Sequence, residues 1–322
     1  MIDMVEPIRG QVDQRLLHRL PFRAMGCAMD LRVVAADAGR ARVALDSGRA
    51  LIRMYEERLS RFLPTSELTR LNEGTGGTVY VSSVLWSVIS VAMDWAKRTN
   101  GLFDPTVLPA LVAHGYDRSF EDGPLDSPRP APAVVSSGAW SSVRLDQRAR
   151  AVTLPGGVSL DLGGVAKGWA ADRVAELLGA VGPCLVDAGG DIATRGAWPS
   201  AGWPIGLCGP GPGEPEVATV RLRDGAVATS GVDIRAWSRA GIRQHHLIDP
   251  RTGRPAVTDV QTCAAIADRA STAEVHAKVA LLLGCERGLR YLESTPDVEG
   301  LLTLADGTTI HTTGFERYVE RT

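Results

Sequence analysis

Lysine and cysteine are both scarce in this sequence of 322 residues. Its lysines are Lys97, Lys167 and Lys278, although lysine and arginine together number 35. This preference for arginine is typical of a GC-rich genome, which makes each retained lysine notable without making it functional. The net charge is −2 and long basic runs are missing, so the composition gives no sign of a surface for nucleic acid or membranes.

The five cysteines, at positions 27, 184, 208, 263 and 285, include no CxxC pair and are odd in number. This pattern argues against a disulfide framework and against a zinc site. We expect the cysteines to behave as small buried hydrophobic residues.

Long hydrophobic runs are missing too. The first 26 residues contain early acidic residues and no continuous apolar stretch, which is not the pattern of a signal peptide. Residues 74–93 are uncharged but include several Gly, Ser and Thr residues, and we interpret them as a strand followed by an amphipathic helix. We therefore expect a cytoplasmic protein with neither a membrane nor a nucleic-acid partner.

The residues that are present, 44% hydrophobic and 22% charged, are those of a globular protein with one large domain or two tightly joined ones. Periodicity predicts helices over residues 41–62, 82–99, 166–179 and 271–283. Short apolar runs predict strands at 24–35, 151–154, 158–162, 184–189, 217–223, 227–231, 245–250 and 260–267. Helices between groups of strands favour a layered α+β fold. Residues 121–138, rich in Pro, Ser and Gly, predict a surface insertion.

The strongest local signal is SLDLGGVAKGWAADRVAELL, residues 159–178. We predict a strand that ends at Asp161, a tight turn at two glycines, and a helix with Lys167 in or near its first turn. A helix N-terminus beside a lysine suits phosphate, although the spacing matches neither a Walker A loop nor a GxGxxG fingerprint. Phosphate binding and a plain strand–turn–helix are equally open on these residues alone.

Three further glycine-containing segments each have a structural and a functional interpretation. In 185–196, Gly189 and Gly190 predict a tight hairpin or a backbone that packs closely against a planar ligand. In 226–237, Thr229 offers a hydroxyl group at a strand end. In 245–256, the DPRTG turn follows two histidines that we place on opposite faces of one strand, where one imidazole beside Asp249 could act as an acid or base.

The segment STAEVHAKVALLLG, residues 271–284, predicts an apolar helix that carries Glu274 and Lys278 four residues apart on one face. An ion pair between the two explains this spacing, and so does a binding site at that face.

In combination, these segments resemble the ApbE-type flavin transferases, which are FAD:protein FMN transferases. The matching segments, in family order, are AMG (24–26), SRFLPTSELTRLN (60–72), GLFDPTV (101–107), DLGGVAKGWAAD (161–172), DAGGDI (187–192), VATSG (227–231), HLIDPRTGRP (246–255) and the helix 271–284. The resemblance implies an α+β fold with two interlocked subdomains and a flavin nucleotide cleft between them. It implies a single domain at 21–318 after an N-terminal extension at 1–20.

The resemblance also implies the activity and the site. Members of this family cleave FAD with the help of Mg²⁺ and transfer FMN to a Thr or Ser of a target flavoprotein. The FAD-binding residues implied here are Met25, Phe62, Leu102, Phe103, Asp104, Asp161, Lys167, Thr229 and Ile248. The implied catalytic residues are His246, Asp249 and Lys278, and the implied metal ligands are Glu274 and the carbonyl of Gly164.

Four positions depart from the family pattern. Phe62 stands where the family usually has Tyr, and Asp187 where it more often has Asn. Glu274 and Lys278 replace the Asp and Thr that ligate Mg²⁺, and an ammonium group cannot ligate a cation. Either Lys278 replaces the metal as a fixed cation that faces the pyrophosphate, or Glu274 and Lys278 form a plain ion pair. The alternative function is an FAD-binding protein with an altered or absent metal site, which carries flavin or uses FAD in different chemistry.

Overall fold

The computed structural model describes residues 14–123, 125–131, 138–198, 201–211 and 213–320. Much of the predicted insertion, residues 124 and 132–137, lies outside the described residues. The helices are α1 (Ala38–Leu59), α2 (Glu67–Glu73), α3 (Ser83–Arg98), α4 (Leu108–Ala113), α5 (Ala166–Gly179), α6 (Ala270–Leu283) and α7 (Cys285–Glu293). Within the described ranges, no helix has both the length and the apolar composition that a membrane crossing requires.

The strands, in chain order, lie among the helices. They are β1 (Leu17–Ala24), β2 (Cys27–Val34), β3 (Thr78–Tyr80), β4 (Arg144–Asp146), β5 (Ala151–Thr153), β6 (Cys184–Ala188), β7 (Ile192–Arg195), β8 (Trp203–Cys208), β9 (Glu216–Leu222), β10 (Gly225–Gly231), β11 (Ala236–Arg239), β12 (Ile242–His245), β13 (Ile248–Asp249), β14 (Arg254–Pro255), β15 (Val260–Ala267), β16 (Glu299–Leu304) and β17 (Thr309–His311). This mixture of helices and antiparallel sheets confirms the predicted α+β class.

The chain divides into two compact units. The first consists of Met1–Arg53, Lys167–Ile234 and Thr258–Thr322, and the second of Met54–Ala166 and Arg235–Val257. Strand β1 begins at Leu17, four residues before the predicted start of the domain. The division into an extension and one domain stays a prediction.

The first unit is built on one eight-stranded sheet in the order β1-β2-β6-β7-β10-β15-β16-β17, with every neighbouring pair antiparallel. The sheet is covered on both faces. Side chains alternate along each strand, so neighbouring residues pack on opposite faces. Val186 packs with Leu45 of α1 and Val174 of α5. Its neighbour Leu185 packs on the opposite face, with Trp203 of the β8–β9 ribbon. Burial of such side chains stabilises the unit by about 1.5–3 kcal/mol each.

The second unit contains α2, α3, α4, the sheet β3-β5-β4 and the ribbons β11–β12 and β13–β14. Its two N-terminal helices are capped as the sequence suggests. Ser66 accepts a hydrogen bond from the N–H of Thr69, and Ser82 accepts one from Leu85. Glu67 then links the two helices by accepting a hydrogen bond of 2.6 Å from the Ser82 hydroxyl. Much of the SRFLPTSELTRLN segment therefore has a structural role.

Three strand predictions were wrong in detail. Residues 24–35 form a hairpin turn and one strand, because Met25 and Gly26 have φ of 52° and 67°. Two successive positive φ values are typical of a type I′ turn, which connects β1 to β2 here. The run at 245–250 is also interrupted: β12 ends at His245 and β13 begins at Ile248, so the two histidines do not share a strand.

The third wrong prediction is a strand at 158–162, which contains Asp161. The backbone hydrogen bonds of this segment go elsewhere. Leu160 exchanges two hydrogen bonds, of 2.7 and 2.9 Å, with the side-chain amide of Asn72. Asp161 donates its N–H to the carbonyl of Pro105. Since these partners satisfy the backbone, the segment is extended without joining a sheet.

Candidate functional site

Lys167 lies in the first turn of α5, as predicted, and its ammonium lies between two carboxylates. It donates hydrogen bonds to Asp191 and to Glu274, the latter at 3.0 Å. The side chains of Asp191 and Glu274 are 3% and 6% exposed, and that of Lys167 is 14% exposed. We call these three residues the lysine cluster. Because the carboxylates are buried, they hold the ammonium at a fixed place.

The cluster joins α5 to α6. The second carboxylate oxygen of Glu274 accepts the backbone N–H of Gly168 at 3.0 Å. A Cβ at Gly168 would lie 2.6 Å from the carbonyl carbon and oxygen of Ala270, so only glycine allows this approach of the helices. The position of Lys167 thus depends on a close contact between two helices.

Asp172 strengthens the same junction one turn further along α5. Its carboxylate accepts the N–H groups of Ala270 and Ser271 at 2.8 and 3.1 Å, and the Ser271 hydroxyl at 2.7 Å. Asp172, on α5, therefore caps the N-terminus of α6. The residue at the usual capping position, Arg269, makes no capping hydrogen bond with its side chain. Burial raises the pKa of Asp172, and these hydrogen bonds oppose that increase.

This part of the first unit contains two carboxyl groups whose pKa is raised. Burial raises the pKa of Asp191, and the nearby Glu274 carboxylate raises it further, against the effect of Lys167. Burial raises the pKa of Asp187 to about 6, and Asp30 adds to that increase. Asp30 lies directly opposite Asp187 on neighbouring strands. The turn that joins Asp187 to Asp191 is the predicted glycine hairpin, with φ of 69° at Gly189 and 95° at Gly190.

Two more predicted FAD-binding residues lie in the first unit. Met25 occupies the first position of the β1–β2 turn and packs against the core on the α1 side of the sheet. Thr229 lies on β10, opposite Ala264 of β15, and is partly exposed. A role for either residue in flavin binding stays a prediction.

In the second unit, Arg61 organises the surroundings of Phe62 and Asp161. The centre of its guanidinium group lies 4.0 Å from the ring centroid of Phe62 and 4.4 Å from that of Tyr116. Its Nε atom lies 2.5 Å from the carboxylate of Asp161. The other oxygen of Asp161 accepts the N–H of Gly163 at 2.8 Å. Sequence reasoning missed Arg61, although its place between Ser60 and Phe62 in a recognised segment was the available signal.

The loop 101–107 buries two of its three predicted site residues. Phe103 and Asp104 are buried and Leu102 is partly exposed. One carboxylate oxygen of Asp104 accepts the N–H and the hydroxyl of Thr106 at 2.7 and 2.6 Å. Burial raises the pKa of Asp104, which these hydrogen bonds oppose. Among the described residues, its other oxygen has no hydrogen-bond partner.

The predicted catalytic histidine and aspartate have different environments. The ring of His246 lies edge-on to Tyr116, with 6.3 Å between centroids. Asp249 binds the guanidinium of Arg251 through both oxygens at 2.8 Å and accepts its N–H at 2.9 Å. Ile248, which precedes it, is part of the second unit's core. Asp249 thus stabilises the DPRTG turn, which leaves His246 as the better candidate for moving a proton.

Glu274 has partners outside α6. Glu274 is bonded to Lys167 and Gly168, more than a hundred residues earlier in the chain. Lys278 is one turn further along α6 and is partly exposed. An ion pair between Glu274 and Lys278 stays a prediction.

These residues do not fit the predicted Mg²⁺ ion. Magnesium requires several hard oxygen ligands in near-octahedral geometry. Both oxygens of Glu274 already accept hydrogen bonds, and Lys278 places an ammonium on the same helix face. Gly164, the other implied ligand, is buried in the turn that precedes α5. Across the described residues, no three His, Cys, Asp or Glu side chains are grouped so that they could hold a metal.

Comparisons with known proteins identify relatives over most of the chain. A family model described as the ApbE family matches residues 25–302. The FAD:protein FMN transferase of Treponema pallidum is 32% identical over 295 residues, which are 84% of this chain and 79% of that protein. That of Klebsiella pneumoniae is 27% identical over 263 residues, 78% of this chain and 79% of that protein. The crystal structure of the ApbE protein from Thermotoga maritima matches with a TM-score of 0.86 and 25% identity, over 95% of this chain and all of that one.

Proposed function

The chain belongs to the ApbE family, and on that premise we propose that it is an FAD:protein FMN transferase. In this reaction, the hydroxyl oxygen of a threonine or serine in a target flavoprotein attacks the FMN phosphorus of FAD. The bond from that phosphorus to the bridging oxygen breaks, AMP leaves, and the hydroxyl proton passes to a base. The products are AMP and a protein with FMN attached through a phosphoester.

The observation that carries the proposal is the fixed Lys167 ammonium in the first turn of α5. The positive end of the helix dipole and the lysine ammonium both favour a phosphate group. A preorganised positive charge stabilises the negative charge that develops on the phosphoryl oxygens during transfer. We assign to Lys167 the role of holding the diphosphate of FAD.

His246 is our candidate for the base that accepts the hydroxyl proton. An imidazole titrates near neutral pH, which suits it to proton transfer. Asp249, bound through both oxygens to Arg251, is less suited to that role. We place Phe62 and the Arg61 stack at the ring system of the flavin, where an aromatic face offers contact area.

The test measures both products. The purified chain is incubated with FAD and candidate flavoprotein subunits, AMP is quantified by chromatography, and the attached FMN is detected by mass spectrometry. We expect equal amounts of AMP and FMN adduct. Lys167→Ala should weaken FAD binding by about 10- to 100-fold, as expected for a charged hydrogen bond of about 1–3 kcal/mol. Lys97→Ala, at an exposed position on α3, is the matched control and should bind FAD like the parent chain.

Lys278 favours a second candidate function, that of a flavin carrier. If an ammonium weakens the chemistry but preserves the pocket, the protein would bind FAD and release it unchanged. Prolonged incubation then gives intact FAD and no AMP with every target tested. Loss of FAD binding altogether would contradict both functions.

A further inference from the structure

The lysine cluster contains one positive and two negative groups, nearly removed from water. Lys167 is shared by Asp191 and Glu274, whose side chains are 3% and 6% exposed. A buried charge without a partner costs several kcal/mol, so an uncompensated carboxylate at this place needs a proton or a nearby cation.

Helix geometry places Lys278 on the same face of α6 as Glu274. Side chains four residues apart on a helix lie on one face, with their Cβ atoms about 5–6 Å apart. Lys278 therefore lies on the face of α6 that carries Glu274, one turn towards the C-terminus. It is partly exposed, so its charge can serve both the cluster and a ligand in solvent.

The junction between α5 and α6 keeps this arrangement rigid. Gly168 permits the close contact with Ala270, and Asp172 caps the first turn of α6. Because both helices are fixed at their N-termini, any metal on this face would have to share the Glu274 carboxylate with the Lys167 ammonium and the N–H of Gly168.

We infer that Lys278 is a built-in counter-ion of the lysine cluster, and that it takes the place of a divalent cation on α6. The first part of this inference concerns the protein alone: Lys278 compensates the negative charge of the cluster, and the α6 face does not bind a dication. The second part rests on the proposed function: the diphosphate of FAD contacts Lys167 and Lys278, and FAD binds without Mg²⁺.

The experiment compares two substitutions at one position. Lys278→Met keeps the apolar stem and removes the charge, whereas Lys278→Thr removes the charge and supplies an oxygen ligand. Lys97→Met and Lys97→Thr are matched controls at an exposed helical position. For every variant of the full chain, Mn²⁺ binding is titrated by electron paramagnetic resonance without FAD, and FAD affinity is measured in EDTA and in excess Mg²⁺. Thermal melts identify any variant that fails to fold.

We expect the parent chain to bind no stoichiometric Mn²⁺ and to bind FAD equally in EDTA and Mg²⁺. Lys278→Met should weaken FAD binding by about tenfold or more without rescue by Mg²⁺, as for a lost charged contact. Lys278→Thr should gain Mn²⁺ binding and an FAD affinity that rises about tenfold with Mg²⁺.

The inference is overturned if the parent chain binds one Mn²⁺ tightly, if its FAD affinity requires Mg²⁺, or if Lys278→Met behaves like Lys97→Met. The Mn²⁺ titration needs no flavin, so it tests the counter-ion separately from the function. Absence of FAD binding in every condition would contradict the proposed function. If, in the same experiment, the parent chain binds no Mn²⁺ and Lys278→Thr gains Mn²⁺ binding, the counter-ion role of Lys278 would still be supported.

Discussion

Replacement of Asp187 by Asn should stabilise the protein at neutral pH. Burial raises the pKa of Asp187 from 3.8 to about 6, and Asp30 lies directly opposite on β2. Burial is the main cost of ionising Asp187, and Asp30, although paired with Arg19 and Arg32, adds to it. Asn keeps an oxygen that accepts the N–H of Gly190, now at 2.8 Å from the carboxylate. Asp187→Asn therefore removes the cost and preserves the turn.

The size of the effect follows from the pKa. A rise of about two units corresponds to about 3 kcal/mol at about 1.4 kcal/mol per unit. Between about pH 4 and 6, the folded protein holds a proton that the unfolded chain releases. The unfolding free energy of the parent chain thus falls as the pH rises through this window, and the variant lacks this decrease.

The assay is urea unfolding followed by circular dichroism at about pH 4.5 and pH 7.5. The unfolding free energy of Asp187→Asn, relative to that of the parent chain, should increase by about 2 kcal/mol from the lower to the higher pH. Asp146→Asn is the matched control, because Asp146 is exposed and also accepts a backbone N–H in a turn, that of Arg148 at 2.9 Å. A difference between parent and Asp187→Asn that does not change with pH would refute the reasoning.

Three further predictions concern packing and buried charge, each read out as the unfolding free energy in urea. Gly168→Ala should cost about 2 kcal/mol, because the clash with the backbone of Ala270 outweighs the gain in helix propensity; an unchanged midpoint would contradict it. Asp172→Ala should cost about 2 kcal/mol through the lost cap of α6, and Asp172→Asn should recover most of it. Arg61→Met should cost about 3 kcal/mol, because the Asp161 carboxylate loses its cation and keeps only the N–H of Gly163. Arg61→Lys should restore only part of this stability because a lysine cannot stack on the rings, and equal stability of the Lys and Arg forms would argue against the stack.

Local patterns in the sequence predicted the four longest helices and missed α4 and α7. Predicted helix 166–179 matches α5 at both ends, and 271–283 differs from α6 by one residue. Such helices have apolar periodicity and terminal signals within the segment itself. The N-caps Ser66 and Ser82 lie within three residues of the atoms they bind, so they are accessible to the same reasoning.

Partners distant in sequence were beyond such reasoning. The apolar run that contains Asp161 satisfies strand criteria, but the amide of Asn72, 88 residues from Leu160, replaces a neighbouring strand. Glu274 pairs with Lys167 at a separation of 107 residues, where local spacing indicated Lys278. In both cases the local pattern could not show the distant partner, because tertiary packing decides which donor reaches a buried acceptor.

The lysine cluster joins stability to function at one helix junction, and the two contributions can be separated. Glu274 fixes Lys167 and also accepts the N–H of Gly168, so its removal changes both charge and packing. Asp172 acts on the same junction through α6 and is not bonded to Lys167. If the two carboxylates position the ammonium, Asp172→Ala should lower the unfolding free energy while FAD affinity stays within about twofold. A parallel loss of affinity would instead mean that the rigidity of the α5–α6 contact, rather than the carboxylates, positions Lys167.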